Sequence, residues 1–248
     1  MRTYILIFIA VLFSSFYLST TQENHPTDKA AQNTQIALES KTLSPIEQLY
    51  QEFGFESNQL INYKAFEQAL QGFEQINPKV KDVITIIDFT LPSTQKRMFV
   101  LDLINKKVLF HSIVSHGRNS GENYATSFSN RHGSYQSSLG FYLTDQTYMG
   151  SNGYSLILDG LEKGINDHAR ARAVVMHGAD YCSENVIKSN GRLGRSYGCP
   201  ALPREINESV INTIKNGSVL YIYANNKEYM TTSTILQSTN YIAQNSTL

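Results

Sequence analysis

Short β-branched and aromatic runs recur from residue 83 to residue 223, broken by Gly, Asn and Ser, and they leave room for few helices. Residues 83–89, 97–103 and 108–115 read as strands, with Asn105-Lys106 as the hairpin turn between the last two. After a loop rich in Gly, Ser and Asn over 117–138, further strands are expected at 140–148, 154–158 and 173–177. A glycine-rich loop over 178–198, a helix at 204–215, a turn at Asn216-Gly217 and a strand at 218–223 complete the order. Many strands with few helices predict a mainly β fold, a sandwich or barrel with helices attached.

Upstream, Ser44-Pro45-Ile46-Glu47 supplies an N-cap, a first-turn proline and a first-turn acid, so a helix is expected to run to about residue 53 and stop at Gly54. A second helix begins near Asn62 and puts Phe66, Ala69, Leu70 and Phe73 on one face. Two short helices cannot bury a core alone, so the segment 43–79 is expected to pack on the β region. Arg2 followed by an apolar run over 4–18 reads as a signal peptide covering 1–20, with an uncleaved membrane anchor as the alternative. The run is shorter than the roughly 20 residues a spanning helix needs. No cysteine stands near its end, which argues against a lipid anchor, and either reading puts the β region outside the cytoplasm. Residues 21–42 read as a linker and 225–248 as a polar C-terminal tail.

Basic and acidic residues balance at 21 each, which excludes a nucleic-acid footprint and suits a large neutral or zwitterionic substrate. The only thiols, Cys182 and Cys199, are too few for a disulfide framework. Cys199 closes the segment Gly194-Arg195-Ser196-Tyr197-Gly198, and His177 ends the apolar run Val174-Val175-Met176. A thiol is mostly protonated near neutral pH, so a nucleophile needs a base, a cation or a helix N-terminus beside it. His177 is the best base among the histidines, Arg192 and Arg195 bring charge, and the helix after Pro203 is expected to aim its N-terminus at the sulfur. Main-chain N–H groups of Cys199 with Gly198 or Tyr197 suit an oxyanion hole, and Gly178 leaves room for a substrate backbone. The pattern alone fits a nucleophile and a buried structural thiol equally. A zinc site from His177, Cys182 and Cys199 lacks the usual paired spacing, and a Cys182–Cys199 disulfide is a further alternative. Neither is favoured, and no metal or cofactor is expected.

The stretch Gly-Arg-x-Gly-Arg-Ser-Tyr-Gly-Cys-Pro-Ala over 191–201 follows, in order, Phe128-Ser129-Asn130, Ser137-Ser138-Leu139-Gly140, Gly153-Tyr154-Ser155-Leu156 and His177-Gly178-Ala179. With these motifs, residues 80–224 resemble the L,D-transpeptidase catalytic domain of YkuD type, in a divergent branch carrying Ser-aromatic-Gly-Cys-Pro-Ala. Tyr197 stands where the commoner motif has histidine, and Pro200-Ala201 where it often has arginine. The resemblance implies an L,D-transpeptidase-like β-sandwich or barrel, Cys199 as nucleophile, and His177 as base, oriented by a backbone carbonyl or a polar side chain. Substrate contacts are expected from Arg195, which can hold a stem carboxylate, and from Ser196, Tyr197, Gly198, Gly178, His116, Ser138 and Tyr154.

The implied function is a cysteine L,D-transpeptidase of peptidoglycan, which forms a thioester on a tetrapeptide stem, releases D-Ala and transfers the acyl group to an amine. Water as acceptor would make the same site an L,D-carboxypeptidase. Tyr197 and the missing arginine motivate a third reading, a non-catalytic peptidoglycan-binding protein. The expected partners are peptidoglycan stem peptides, with no nucleic acid and with membrane anchoring only through an uncleaved N-terminal segment.

Overall fold

The structure is a computed structural model that describes residues 43–238. The expected signal peptide at 1–20, the linker at 21–42 and the tail beyond residue 238 lie outside the described residues. Helix α1 (Pro45–Glu52) starts with a reciprocal cap, in which Ser44 Oγ accepts from the Glu47 N–H at 3.2 Å and the Glu47 carboxylate accepts from the Ser44 N–H at 2.7 Å. It ends before Gly54, which takes the left-handed φ of 72° that stops a helix cleanly. One turn, α2 (Phe55–Asn58), precedes α3 (Tyr63–Gln75), where Asn62 caps the N-terminus by accepting from the Lys64 N–H at 2.8 Å.

The β region contains β1 (Val83–Asp88), β2 (Met98–Asp102), β3 (Lys107–Ser112), β4 (Gly140–Gly150), β5 (Gly153–Gly160) and β6 (Val175–Gly178). Then come α4 (Glu184–Asn190), β7 (Ala201–Leu202), α5 (Arg204–Ile214), β8 (Val219–Tyr223) and α6 (Lys227–Thr232). One sheet takes the order β3-β2-β1-β8-β4-β5-β6-β7, parallel at β1–β8 and β6–β7 and antiparallel elsewhere. Its edges approach each other, because Ser115, past the end of β3, bridges to Ala201 of β7, and Gly117 bridges to Ser196. The fold is therefore mostly β and nearly a closed barrel, with few helices and a short helical N-terminal region.

The apolar stripe of α3 lies on β1 and β8, with Phe66, Ala69, Leu70 and Phe73 all buried. Each side chain of that size removed from water is worth about 1.5–3 kcal/mol, which fixes the helix to the sheet. Gly72 lets the helix come close, since a Cβ there would lie 2.0 Å from the Phe141 ring.

Two expectations need correction. The loop over 178–198 contains a helix, α4, capped by Ser183 and closed by Gly191 at φ 71°. The tail from 225 is not merely polar: α6 and the helical residues 234–238 bury Tyr229 and Leu236 in the core. The Tyr229 hydroxyl donates to the buried Glu162 carboxylate at 3.1 Å, and Ser233 Oγ donates to the other Glu162 oxygen. Glu162 also accepts from the Phe141 N–H at 2.8 Å, so one buried acid joins the C-terminal helices to β4.

Gly72→Ala is expected to destabilise the fold by about 1–3 kcal/mol, because overpacking against Phe141 outweighs the up to ~1 kcal/mol that alanine gains in a helix interior. Urea titration of the variant checks this; a raised midpoint would show that α3 has slack to move.

Candidate active site

Parallel pairing of β6 with β7 sets His177 opposite Ala201 and Gly178 opposite Leu202. Two residues before that register, Cys199, which precedes β7, comes beside Val175, whose N–H reaches Cys199 Sγ at 3.5 Å. Side chains alternate along a strand, so Val175 and His177 share a face. His177 therefore stands two residues along β6 from the Val175 that Cys199 touches. Helix α5 covers the other face of β6, where Asn207 lies against Gly178.

His177 is almost fully buried, and its Nδ1 lies 3.1 Å from the Gly178 carbonyl oxygen. A carbonyl only accepts, so Nδ1 carries the proton and Nε2 is the basic nitrogen. Gly178 O is the orienting group that the sequence leaves unnamed. Burial lowers the imidazole pKa, Gly178 opposes that, and Arg204 adds to it, so the ring is neutral near pH 7. The Cys199 thiol is raised, chiefly by burial, against the Val175 N–H, the Arg172 charge and its own N–H. Its S–H points toward the Ala173 carbonyl at 3.6 Å. The resting pair is therefore a neutral thiol and a neutral imidazole.

Ser196 builds the turn that presents the sulfur. Its Oγ donates to the Cys199 carbonyl at 2.6 Å and accepts from the Gly198 N–H at 3.0 Å, while its N–H donates to the His116 carbonyl at 2.9 Å. Gly198 has φ 128°, and a Cβ there would sit 2.9 Å from Gln136 O, so only glycine fits. Because the Gly198 N–H is occupied by Ser196, it does not serve as an oxyanion donor. The N–H groups of Tyr197 and Cys199 are the main-chain donors left beside the sulfur.

Several expected contacts belong instead to the framework. His116 is fully buried; its Nδ1 accepts from Arg97 Nη2 at 2.8 Å and its Nε2–H donates to Gly121 O at 3.2 Å. Burial and then the Arg97 charge push its pKa down to about 4, so it is a neutral strut and not a cleft residue. Ser138 is buried, donating to Ser129 O at 2.8 Å and accepting from Arg172 Nη1 at 2.6 Å. Tyr154 is turned to α5, where its hydroxyl donates to Asn212 Oδ1 at 2.8 Å. The space at Gly178 is filled by Asn207, 3.1 Å from where a Cβ would be. Arg195 donates to Arg118 O, Gly121 O and Glu122 Oε1 at 2.8–3.1 Å, and Arg192 pairs with the same Glu122 at 2.9 Å. Both guanidiniums close the 118–122 loop. The helix N-terminus also misses the sulfur, because α5 starts past the Gly178 end of β6 while Cys199 sits at the Val175 end.

Tyr197 remains open, 66% exposed, with its ring tilted on Tyr135 at 4.8 Å between centroids and Arg118 above it at 5.9 Å. Cys182 is a free thiol, fully buried among Ile113, Ala179, Leu193 and Ala201, and burial pushes its pKa up to about 11. Among the described residues no group of three or more His, Cys, Asp or Glu is gathered as a metal would require. The sequence reading passed over Arg172, whose only signal is an Arg-x-Arg pair just before β6. A groove of about 420 Å³ is lined by Phe110, Ile113, Pro203 and Ile206 and does not include the Cys199 turn.

The sequence profile of the L,D-transpeptidase catalytic domain matches residues 57–223, so the matched region takes in α3 as well as the sheet. No curated protein matches the sequence closely enough to count as a relative. Among solved structures, an L,D-transpeptidase from Mycobacterium smegmatis is 13% identical with a TM-score of 0.36, covering 58% of this chain and 59% of that one. An L,D-transpeptidase from Enterococcus faecium is 15% identical with a TM-score of 0.33, covering 58% and 49%. The helical cell shape determining protein Pgp2 from Campylobacter jejuni is 13% identical with a TM-score of 0.39, covering 64% and 56%. The chain thus spans about half to three fifths of the length of these structures.

A raised thiol beside a neutral imidazole makes a definite pH profile. Alkylation of Cys199 by iodoacetamide, followed by peptide mass spectrometry, is expected to rise with a midpoint above the ordinary thiol value of about 8.5. A rate already on its plateau at pH 6 would show a preformed thiolate–imidazolium pair instead.

Proposed function

The chain belongs to the L,D-transpeptidase catalytic-domain family, and from that premise we propose that it is a cysteine L,D-transpeptidase acting on peptidoglycan outside the cytoplasm. The observation that carries the reading is the imidazole of His177, tied through Nδ1 to the Gly178 carbonyl on the same strand whose Val175 N–H reaches the Cys199 thiol. The substrate bond joins the L-centre of the diamino acid to the terminal D-Ala of a tetrapeptide stem. Rotation of the Cys199 side chain takes the thiol from Ala173 O to His177, whose Nε2 accepts the proton as Sγ attacks the carbonyl carbon. The oxyanion is held by the Tyr197 and Cys199 N–H groups. Imidazolium then gives its proton to the departing D-Ala nitrogen, the C–N bond breaks and a thioester remains.

An amine from a neighbouring stem next attacks the thioester and loses its proton to His177. The new peptide bond forms, the C–S bond breaks, and the sulfur recovers its proton. Water in place of the amine would give an L,D-carboxypeptidase. Tyr197, exposed beside the sulfur, positions the stem, since a phenol cannot carry a proton at neutral pH as an imidazole does. We read the helical segment 43–79 as part of the same domain as 80–224, because α3 buries its apolar face on the sheet. The N-terminal segment 1–20 would supply the export signal.

Mass spectrometry of a disaccharide-tetrapeptide incubated with the protein tests the reading: a cross-linked dimer with released D-Ala supports it. Tripeptide alone would make the enzyme a carboxypeptidase, and unchanged substrate with no carbapenem adduct would make the protein a binder. Cys199→Ala is expected to abolish both turnover and the adduct. His177→Ala is expected to slow acylation by about 10²–10⁴ at neutral pH, with partial recovery as pH rises and hydroxide generates the thiolate. For Tyr197, kcat and KM for D-Ala release separate the roles. Tyr197→Phe should keep most activity and Tyr197→Ala should raise KM more than it lowers kcat, whereas a collapse of kcat in Tyr197→Phe would put the hydroxyl in the transition state.

A further inference from the structure

Arg172 lies at the kink that leads into β6. The next residue, Ala173, has a left-handed φ of 55° and offers its carbonyl to the Cys199 thiol. The half-buried guanidinium is clamped at four points. Nη1 donates to Ser129 O at 2.8 Å and to Ser138 Oγ at 2.6 Å, and Nη2 donates to Gln136 O at 2.6 Å and to Ser134 Oγ at 3.3 Å. Every one of these acceptors is neutral. Arg170, Arg192, Arg195 and Arg204 pair with carboxylates, whereas Arg172, like the buried Arg97, is held by neutral acceptors. It also touches the turn that presents the sulfur, because a Cβ on Gly198 would lie 3.3 Å from Arg172 Nη2. Four contacts with no counter-ion cost desolvation, and a loop clamp alone does not require a charged group there.

We propose that Arg172 is a positioning residue of the active site, the fixed cation that stabilises the Cys199 thiolate once its proton has moved to His177. The inference rests on Cys199 being the nucleophile. Within the proton transfer, Sγ goes from neutral to negative and His177 Nε2 from neutral to positive; no other bond changes. An imidazolium alone compensates the sulfur only while it keeps the proton. Arg172 keeps a positive charge beside the sulfur through thioester breakdown as well, when the thiolate is again the leaving group. Of the other titratable groups around the turn, His177 on β6, Tyr197 on the turn itself and Tyr181 after β6 are not fixed cations, and Arg118 lies over the Tyr197 ring. Burial raises the thiol and Arg172 is the charged side chain acting against that rise.

The pH dependence of Cys199 alkylation by iodoacetamide tests this without any peptidoglycan substrate. In Arg172→Gln the midpoint is expected to move up by about one pH unit, which is about tenfold slower alkylation at neutral pH, and Arg172→Lys is expected to restore most of the loss. A purely structural clamp would lower the melting temperature without moving the midpoint, and lysine, which lacks the planar fork, would not rescue it. Should Arg172→Gln not fold, Ser134→Asp serves instead, since it places a carboxylate on the guanidinium from a partly exposed loop and is expected to raise the midpoint in the same sense. An unmoved midpoint in the folded Gln variant, or in Ser134→Asp, overturns the proposal. The outcome is separable from the function itself: a protein that turns over tetrapeptide while its midpoint ignores residue 172 loses only this inference. A protein that forms neither product nor adduct, yet shows the shift, loses the transpeptidase reading and with it the active-site role of Arg172, and keeps only the effect of its charge on the thiol.

Discussion

The pairing of Ala201 on both sides holds the site together. On one side it lies in register with His177 of β6, and on the other its carbonyl accepts from the Ser115 N–H at 2.9 Å. A strand of two residues has few hydrogen bonds of its own, so its position depends on what surrounds it. The fully buried Ala201 is packed with Ile113, Ala179, Cys182 and Leu193, and α5 follows at once on its C-terminal side. That small cluster gives Cys182 a role as an apolar filler, which explains its burial and its raised thiol. The same pairing brings the two sheet edges together and sets Cys199 at the level of Val175.

Beneath the Cys199 turn runs a polar support that is unusual in being cationic and buried. Arg97 has no exposed surface; Nε and Nη2 donate to Val114 O at 3.1 and 2.8 Å, Nη1 to Leu91 O at 2.9 Å, and the guanidinium lies over the Phe89 ring at 4.8 Å. Burial pulls its pKa down to about 9. Nη2 also reaches His116, and the His116 carbonyl accepts from Ser196. A chain of directed bonds therefore runs from the core to the turn. Removing one member would leave its neighbours buried and unpaired, the costly case for polar groups in an interior.

What the sequence reveals follows from the range of each interaction. Strands show through as β-branched and aromatic runs, α1 through Ser44-Pro45-Ile46-Glu47, and α3 through a stripe that is buried as the spacing demands. Cys199 and His177 stand out because a glycine turn and an apolar strand end are local signals. The Gly178 carbonyl does not, since every residue has one and only the fold selects it. Ser138 and His116 are drawn inward, and Tyr154 toward α5, by partners 9 to 58 residues away, a distance no local pattern reports. β7 is too short for a periodic signal, α4 lies hidden between glycines, and α6 is polar except for Met230 and the tyrosine that finds Glu162.

The central claim is that the sulfur brought to Val175 by the β6–β7 register is the atom that carries the acyl group. The most direct measurement is acid quenching of the protein during reaction with a disaccharide-tetrapeptide, followed by proteolysis and mass spectrometry of the thiol peptides. The account predicts a thioester adduct, equal in mass to the stem without its terminal D-Ala, on the peptide containing Cys199 and absent from the one containing Cys182. Product formation with the adduct on Cys182, or with neither thiol acylated, would contradict it.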